Sequence, residues 1–317
     1  MRPALRFLSD GTDPPGIHPP PADFALAAAF AGAFGALREV LEASVYAAVV
    51  SRALGAKGGP SIPRGRVEGK LRHSLFNLTQ YSILSAISLA ALRGQSWVTD
   101  SRALWEGCRG LPCRAPRAPA LRLAYAAEAG HYAYGVAALL LGRDRRLSDS
   151  GVLVAHHVVT LLLLGASHAW NYLRVGVLTA GLHDVCDVFL DGAKVVKALG
   201  YPPGAPFVAF LVVWTATRLG YFPFYVLRSV LLEAWGAVLG DHPGEGELAA
   251  ARVHYYAASG LLLTLLGMHL YWTYLIVRVV ARSLARRGID DVRDPDSSDD
   301  EGAGVGAGVR GGTRGPG

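Results

Sequence analysis

Charge is scarce in this 317-residue sequence, where Asp, Glu, Lys and Arg together make 18% against about 25% in an ordinary soluble domain. The remainder is dominated by Leu, Ala, Val and Gly, with 51% hydrophobic residues and a mean hydropathy of +0.29, so a multi-span membrane protein is the leading class. Strand signals rarely bound the apolar runs, which favours helical spans over a barrel. Three cysteines are too few for a disulfide scaffold. Cys108 and Cys113 share one loop and either pair, if that loop faces an oxidising lumen, or stay as free thiols. No apolar h-region precedes Asp23, only a stretch rich in Pro, Asp and Arg, so no cleavable signal peptide is expected and the first span serves as the targeting signal. The net charge of +6 comes from basic residues at the edges of apolar runs, as membrane orientation requires, and nucleic-acid binding is not expected.

Against a bilayer need of roughly 20 residues, apolar runs lie at 24–54, 74–92, 121–141, 151–171, 175–199, 206–232 and 255–280. They predict an all-α integral membrane protein with about seven transmembrane helices. The domain organisation expected is a lumenal segment at 1–23, a first transmembrane helix at 24–54, a main helical domain at 70–282 and an acidic, then Gly-rich, disordered cytosolic tail at 283–317. Arg38, Glu39 and Glu42 interrupt the first run, which is therefore expected to be tilted or peripheral. Alternate connectors carry the positive charge: Lys57 to Lys70, Arg143 to Arg146, Lys194 with Lys197, and Arg282 to Arg287. They predict an N-out, C-in chain; the arginines between Arg93 and Arg122 are the weakest point of that topology. Asn77-Leu78-Thr79 lies at the cytosolic start of a span and reads as a chance sequon. Ser297 and Ser298, each with an acidic residue three positions on, are candidate sites for an acid-directed kinase.

The fourth and fifth runs break the apolar pattern. Residues 155–201 place His156, His157, His183, Asp184, Asp187 and Asp191 in segments otherwise fit for a bilayer. An Asp near a helix centre costs about 2.5 to 3.5 kcal/mol, so the three aspartates impose about 8 to 10 kcal/mol unless paired or wetted. Helical phase puts Lys194 at about 20°, Asp187 at about 40°, Asp191 at about 80° and Asp184 at about 100° from His183. One face carries all five, so that stripe is expected to line an internal cavity, with Lys194 a counter-ion for Asp187 or Asp191. His156 and Thr160 stack at i, i+4 while His157 points about 100° away, so His156 is expected to face the cavity and His157 not. Asn171 and Arg174 are placed to order the turn between the two runs through backbone carbonyls, or, for Arg174, to snorkel.

A neutral imidazole attacks thioesters and serves as a general base; a carboxylate across a cavity orients it and stabilises the positive charge of acyl transfer. Two histidines with two aspartates suffice for that chemistry without a metal. The rival metal reading needs HxxxH or HxxHH spacing, and neither occurs.

These residues resemble a known family. The sequence from His156-His157 through Thr160, Ser167, Asn171, Arg174, Gly176, His183-Asp184, Asp187 and Lys194 is similar to the Lag1 motif of ceramide synthases within the TLC domain. Glu128, Asp144 and Asp149 sit at the family's spacing upstream, and 217–235 reads like its sixth span. The sequence departs at His168, Cys186 and Asp191, where the family usually has Tyr, Ser and Glu, and it lacks the homeobox-like insert of many animal members.

The resemblance implies a multi-pass endoplasmic-reticulum enzyme with six helices around a long cavity and one extra N-terminal span. It would transfer a fatty acyl group from acyl-CoA, a co-substrate rather than a cofactor, to the amine of a sphingoid base. By the same resemblance His156 takes the acyl group, Asp184 and Asp187 orient the histidines, and His157 or His183 accepts the amine proton. Asn171, Arg174, Asp191 and Lys194 are implied on the substrate side. Arg143, Arg145, Arg146 and Lys197 are candidate contacts for CoA phosphates, or topology determinants only. Membrane lipids are the remaining partners, with a homo- or hetero-dimer left open. The alternative is a non-catalytic TLC-domain protein that binds lipid, a translocon or cargo.

Overall fold

The computed structural model describes residues 20–56, 64–108, 110, 112–141, 150–239 and 245–286. Among them every long element is a helix and none is a strand: α1 (Pro21–Ala43), α2 (Val45–Ala56), α3 (Arg64–Leu92), α4 (Pro119–Leu140), α5 (Ser150–Ala169), α6 (Leu173–Ala198), α7 (Gly204–Trp214), a π-helical stretch (Thr215–Leu227), α8 (Arg228–Leu232), α9 (Ala234–Leu239) and α10 (Glu245–Arg286). The expectations for residues 1–19, Lys57, Arg143 to Asp149 and the 287–317 tail with Ser297 and Ser298 lie outside the described residues.

The chain is a multi-pass, all-helical membrane protein. Five helical stretches are long and apolar enough to cross a membrane: Pro21–Ser51, Glu68–Leu92, Gly151–Ala169, Gly204–Leu239 and Leu248–Leu284. Composition alone thus supports five crossings where seven runs were expected. The other two runs fold as α4 and α6, which are long enough but polar. α4 buries Arg122, Glu128 and His131, and α6 buries His183, Asp184 and Asp191. Helices of that composition are stable at membrane depth only when other helices shield them. The packing supplies this, because α6 contacts α3, α4, α5, α7 and the π-helical stretch.

α1 is not peripheral. Its backbone lies against α4 at Gly130, where a Cβ would fall 2.7 Å from the Ala27 carbonyl and 2.9 Å from the Ala31 nitrogen, the small-residue contact by which membrane helices pack. Two of its charged residues, Asp23 and Arg38, tie it to neighbouring helices. Asp23 binds Arg122 Nη2 at 2.8 Å and His168 Nε2 at 3.0 Å, and Arg38 binds Glu42 at 2.7 Å and donates to the Tyr134 hydroxyl at 3.2 Å.

At one end of the bundle Cys108 and Cys113 form a disulfide, closing the loop between α3 and α4. Asn171, at φ 62°, ends α5 in the left-handed region that asparagine tolerates. Its side chain donates to the carbonyls of Cys113 and Ala115, each at 2.7 Å. Arg174 donates to the carbonyls of Ala103 and Glu106, each at 2.8 Å. The pair therefore orders the turn through backbone carbonyls, and Arg174 does not snorkel. Trp105 Nε1 donates to Ser229 Oγ at 2.8 Å, and the Tyr221 hydroxyl donates to the Val98 carbonyl, so the same loop is tied to the π-helical stretch and α8. The opposite end carries Lys194 and Lys197, in the last turns of α6.

Candidate active site

The polar stripe of α6 is held from several sides rather than opening on one wall. Thr179 fixes the His183 ring, its carbonyl accepting from Nδ1 at 2.7 Å, which leaves the lone pair on Nε2. That nitrogen lies 2.8 Å from Nε2 of His269 on α10. Since His183 accepts there, His269 carries its proton on Nε2. Asp184 lines neither cavity and lies beside the carboxyl of Glu128 on α4. Both are about 1% exposed, and a carboxyl–carboxyl contact becomes a hydrogen bond only when one of the two carries a proton. Asp187 accepts from Arg218 Nη2 at 2.9 Å, and the same nitrogen reaches the His183 carbonyl at 3.2 Å. Lys194 pairs with Asp191 at 3.1 Å, so of its two candidate partners it takes Asp191, and Asp187 has an arginine that the sequence reading did not assign.

Arg218 reaches Asp187 from the π-helical stretch, which contains Pro223. Proline has no N–H to continue an α-helical ladder, and the wider π turn is a common device at functional sites. Arg218 is 3% exposed and its guanidinium covers the Trp214 ring at 4.7 Å, a cation–π contact that partly replaces lost hydration.

Two cavities meet at this layer. The larger, about 290 Å³, is lined by His156, His157, Asp187, Asp191 and Arg218, and reaches Lys194 and Lys197. The smaller, about 110 Å³, is lined by Thr160, His183 and apolar side chains, and extends toward Trp170 and His254 at the disulfide end. Those two rings stack at 3.8 Å. Tyr132 lines both cavities. His156 and His183 stand on either side of the junction with ring centroids 6.4 Å apart and planes at 23°. His156 and Thr160, though one turn apart, line different cavities.

Both members of the histidine pair line the larger cavity, contrary to the expectation that only His156 would. The 100° between them is accommodated because the cavity is wide and because α4 has glycine at 135. A Cβ there would fall 3.0 Å from His157 Nε2. His157 Nδ1 lies 2.8 Å from the Leu153 carbonyl, which places the proton on Nδ1 and the lone pair on the nitrogen beside Gly135. His156 packs edge-on against Trp272 at 5.3 Å, and its Nδ1 is buried without a hydrogen-bond partner.

The structure thus brings His156, His157, Asp187, Asp191 and Lys194 to one cavity and His183 to the adjoining one. It buries Asp184 between helices and places Asn171 and Arg174 at the disulfide end. Arg143, Arg145 and Arg146 lie outside the described residues. Sequence reasoning missed Arg218, Tyr132, Trp272 and His269. For Arg218 and His269 a signal was there: each is an ionisable residue inside an apolar run, the same anomaly that exposed the aspartates. Among the described residues no three of His, Cys, Asp and Glu converge as metal ligands.

The chain matches the TLC domain over residues 70–278. Ceramide synthase LOH2 of Arabidopsis thaliana is 32% identical over 287 residues, covering 88% of this chain and 93% of that protein. Ceramide synthase 1 LOH3 of the same plant is 30% identical over 291 residues, with 88% and 92% covered. Ceramide synthase hyl-1 of Caenorhabditis elegans is 33% identical over 245 residues, with 74% and 62% covered. On this likeness, which runs through every helix that builds the two cavities, the chain belongs to the ceramide synthase family of TLC-domain membrane proteins.

Proposed function

We propose that this protein is an endoplasmic-reticulum ceramide synthase that moves a fatty acyl group from acyl-CoA to the amine of a sphingoid base by way of His156. The observation that carries the reading is the junction. A buried imidazole with an unpartnered Nδ1 stands where a cavity reaching two lysines meets an apolar one. The lysine end suits a nucleotide thioester, because Lys194 and Lys197 offer positive charge to phosphates. The apolar cavity suits the acyl tail. The Cys108–Cys113 disulfide suits an oxidising compartment and so supports a reading with that loop in the lumen and the lysine end in the cytosol, where acyl-CoA would be met.

In the first step a His156 nitrogen attacks the thioester carbonyl. The C–N bond forms, the C–S bond breaks, and the CoA thiolate leaves with the proton shed by the imidazole. The amine of the base then attacks the acyl-imidazole. A new C–N bond forms, His156 departs and takes back a proton, and His157 Nε2, beside it in the same cavity, relays the proton from the amine. Arg218 supplies fixed positive charge to the oxyanion in each step, and Asp187 holds that guanidinium in place. The net reaction converts acyl-CoA and amine into amide and free CoA.

Expression in cells lacking ceramide synthase tests the reading. Wild type restores ceramide, whereas His156→Ala and Asp187→Ala together abolish the rescue. Rescue that survives both changes sinks the proposed catalysis, and absence of rescue by a well-expressed wild type favours a non-catalytic lipid-binding role.

A further inference from the structure

Two buried polar groups in the larger cavity take no part in the chemistry above. Gln80 on α3 is 2% exposed, and its Nε2 has no hydrogen-bond partner. His131 on α4 is 6% exposed, its Nδ1 is likewise unpartnered, and both residues line the cavity that holds His156 and His157. An unpaired buried donor or acceptor is costly, so groups of this kind ordinarily meet a partner. His131 is clamped among the rings of Phe34, Tyr81 and Tyr132 at 6.1, 5.3 and 5.0 Å, and the Tyr132 ring is itself 5.5 Å from His157.

The arrangement selects one kind of occupant. Gln80 and His131 carry no fixed charge, so they do not suit the phosphates of CoA, which the lysines at the cavity end suit better. The thioester and acyl tail bring no hydroxyl. The amine substrate does: its reacting nitrogen is flanked on both sides by carbons bearing hydroxyls, and a hydroxyl donates and accepts, matching an amide on one wall and an imidazole of either tautomer on the other. Asn77 and His73, one and two turns from Gln80, line the same cavity and lie 3.3 Å apart at Asn77 Nδ2 and His73 Nε2, extending the polar face of α3 toward the lysine end.

Resting on the acyl-transfer reading, we infer that Gln80 and His131 bind the hydroxyl-bearing head of the sphingoid base and so position its amine at the histidine pair. The two residues are then specificity determinants rather than catalytic groups. Because Gln80 Nε2 has no partner within the protein, replacing the side chain by an isosteric apolar one costs binding and not folding.

Membranes from ceramide-synthase-deficient cells expressing the full chain are assayed with sphinganine and with the 2-aminoalkane of the same length that lacks both hydroxyls. Gln80→Leu is expected to raise the KM for sphinganine at least about tenfold, the loss of one good hydrogen bond. The rate with the 2-aminoalkane and the KM for acyl-CoA should stay within about twofold on the same scale, and the melting temperature should not fall. His131→Phe is expected to give the same pattern from the facing helix. Equal loss with both amines in both variants, no change with either amine, or a rise confined to the acyl-CoA KM overturns the assignment. Absence of amide formation by wild type with either amine instead counts against the acyl-transfer reading on which it rests.

Discussion

His269 Nε2 lies 2.8 Å from His183 Nε2, joining the last helix of the bundle to the central one. With His183 Nδ1 committed to the Thr179 carbonyl at 2.7 Å, the proton in the contact belongs to His269. Phe222 and Trp214 wall in the His269 ring at 5.0 and 6.2 Å. The relation fixes the orientation of the ring that His156 faces across the junction.

Replacing His269 by Leu leaves the His183 Nε2 acceptor unpaired and is expected to cost about 1–3 kcal/mol of stability, with a loss of ceramide formation. Gln, which can present an N–H in the same direction, should recover part of both. Thermal unfolding in detergent and ceramide output read the two variants side by side; equal behaviour of Leu and Gln would show that the hydrogen bond is idle.

The Asp187–Arg218 pair predicts strong non-additivity. Removing either partner leaves a charge in the bundle interior and should destabilise by about 3–5 kcal/mol, whereas Asp187→Leu with Arg218→Met should cost less than the two single changes summed. A double-mutant cycle measured by unfolding checks this. Additive single effects would mean that the two groups do not depend on each other.

Two glycines make opposite predictions. A Cβ at Gly176 would collide with the Tyr125 hydroxyl, which bonds Ser167 Oγ at 2.8 Å, so Gly176→Ala is expected to be destabilising and to displace the α5–α6 corner. Nothing lies within 4 Å of a Cβ at Gly165, and Gly165→Ala should stabilise α5 by up to about 1 kcal/mol. Melting temperatures shifting the same way in both variants would contradict the packing described.

The disulfide predicts that Cys108 and Cys113 resist alkylation until the protein is reduced. Reduction should destabilise the loop by about 2 kcal/mol, the loop-closure value for so short a ring. Mass spectrometry after alkylation with and without reductant is sufficient. Two thiols reacting in the unreduced protein would place the loop in a reducing compartment and invert the proposed orientation.

Helix content and the special status of 155–201 could be read from the sequence, because ionisable residues in apolar runs carry a cost that only internal partners offset. Phase along α6 correctly put its acidic residues toward the interior, but phase describes one helix and says nothing of which neighbour answers each group. Hence Asp187 was offered Lys194 and found Arg218, and Asp184 turned out to face Glu128. His157 shows the same limit in reverse: its angle argued against the cavity, and the missing side chain of Gly135 on another helix admitted it. Local spacing could not decide whether Cys108 and Cys113 pair, since both outcomes suit a five-residue separation.

The central claim is that His156 carries the acyl group, and intact-mass measurement of purified protein incubated with acyl-CoA in the absence of amine tests it most directly. The account predicts a mass increase of one acyl group on wild type, discharged when sphinganine is added and absent from His156→Ala. An adduct that persists in His156→Ala, or a wild type that makes ceramide without ever carrying the acyl group, would contradict it.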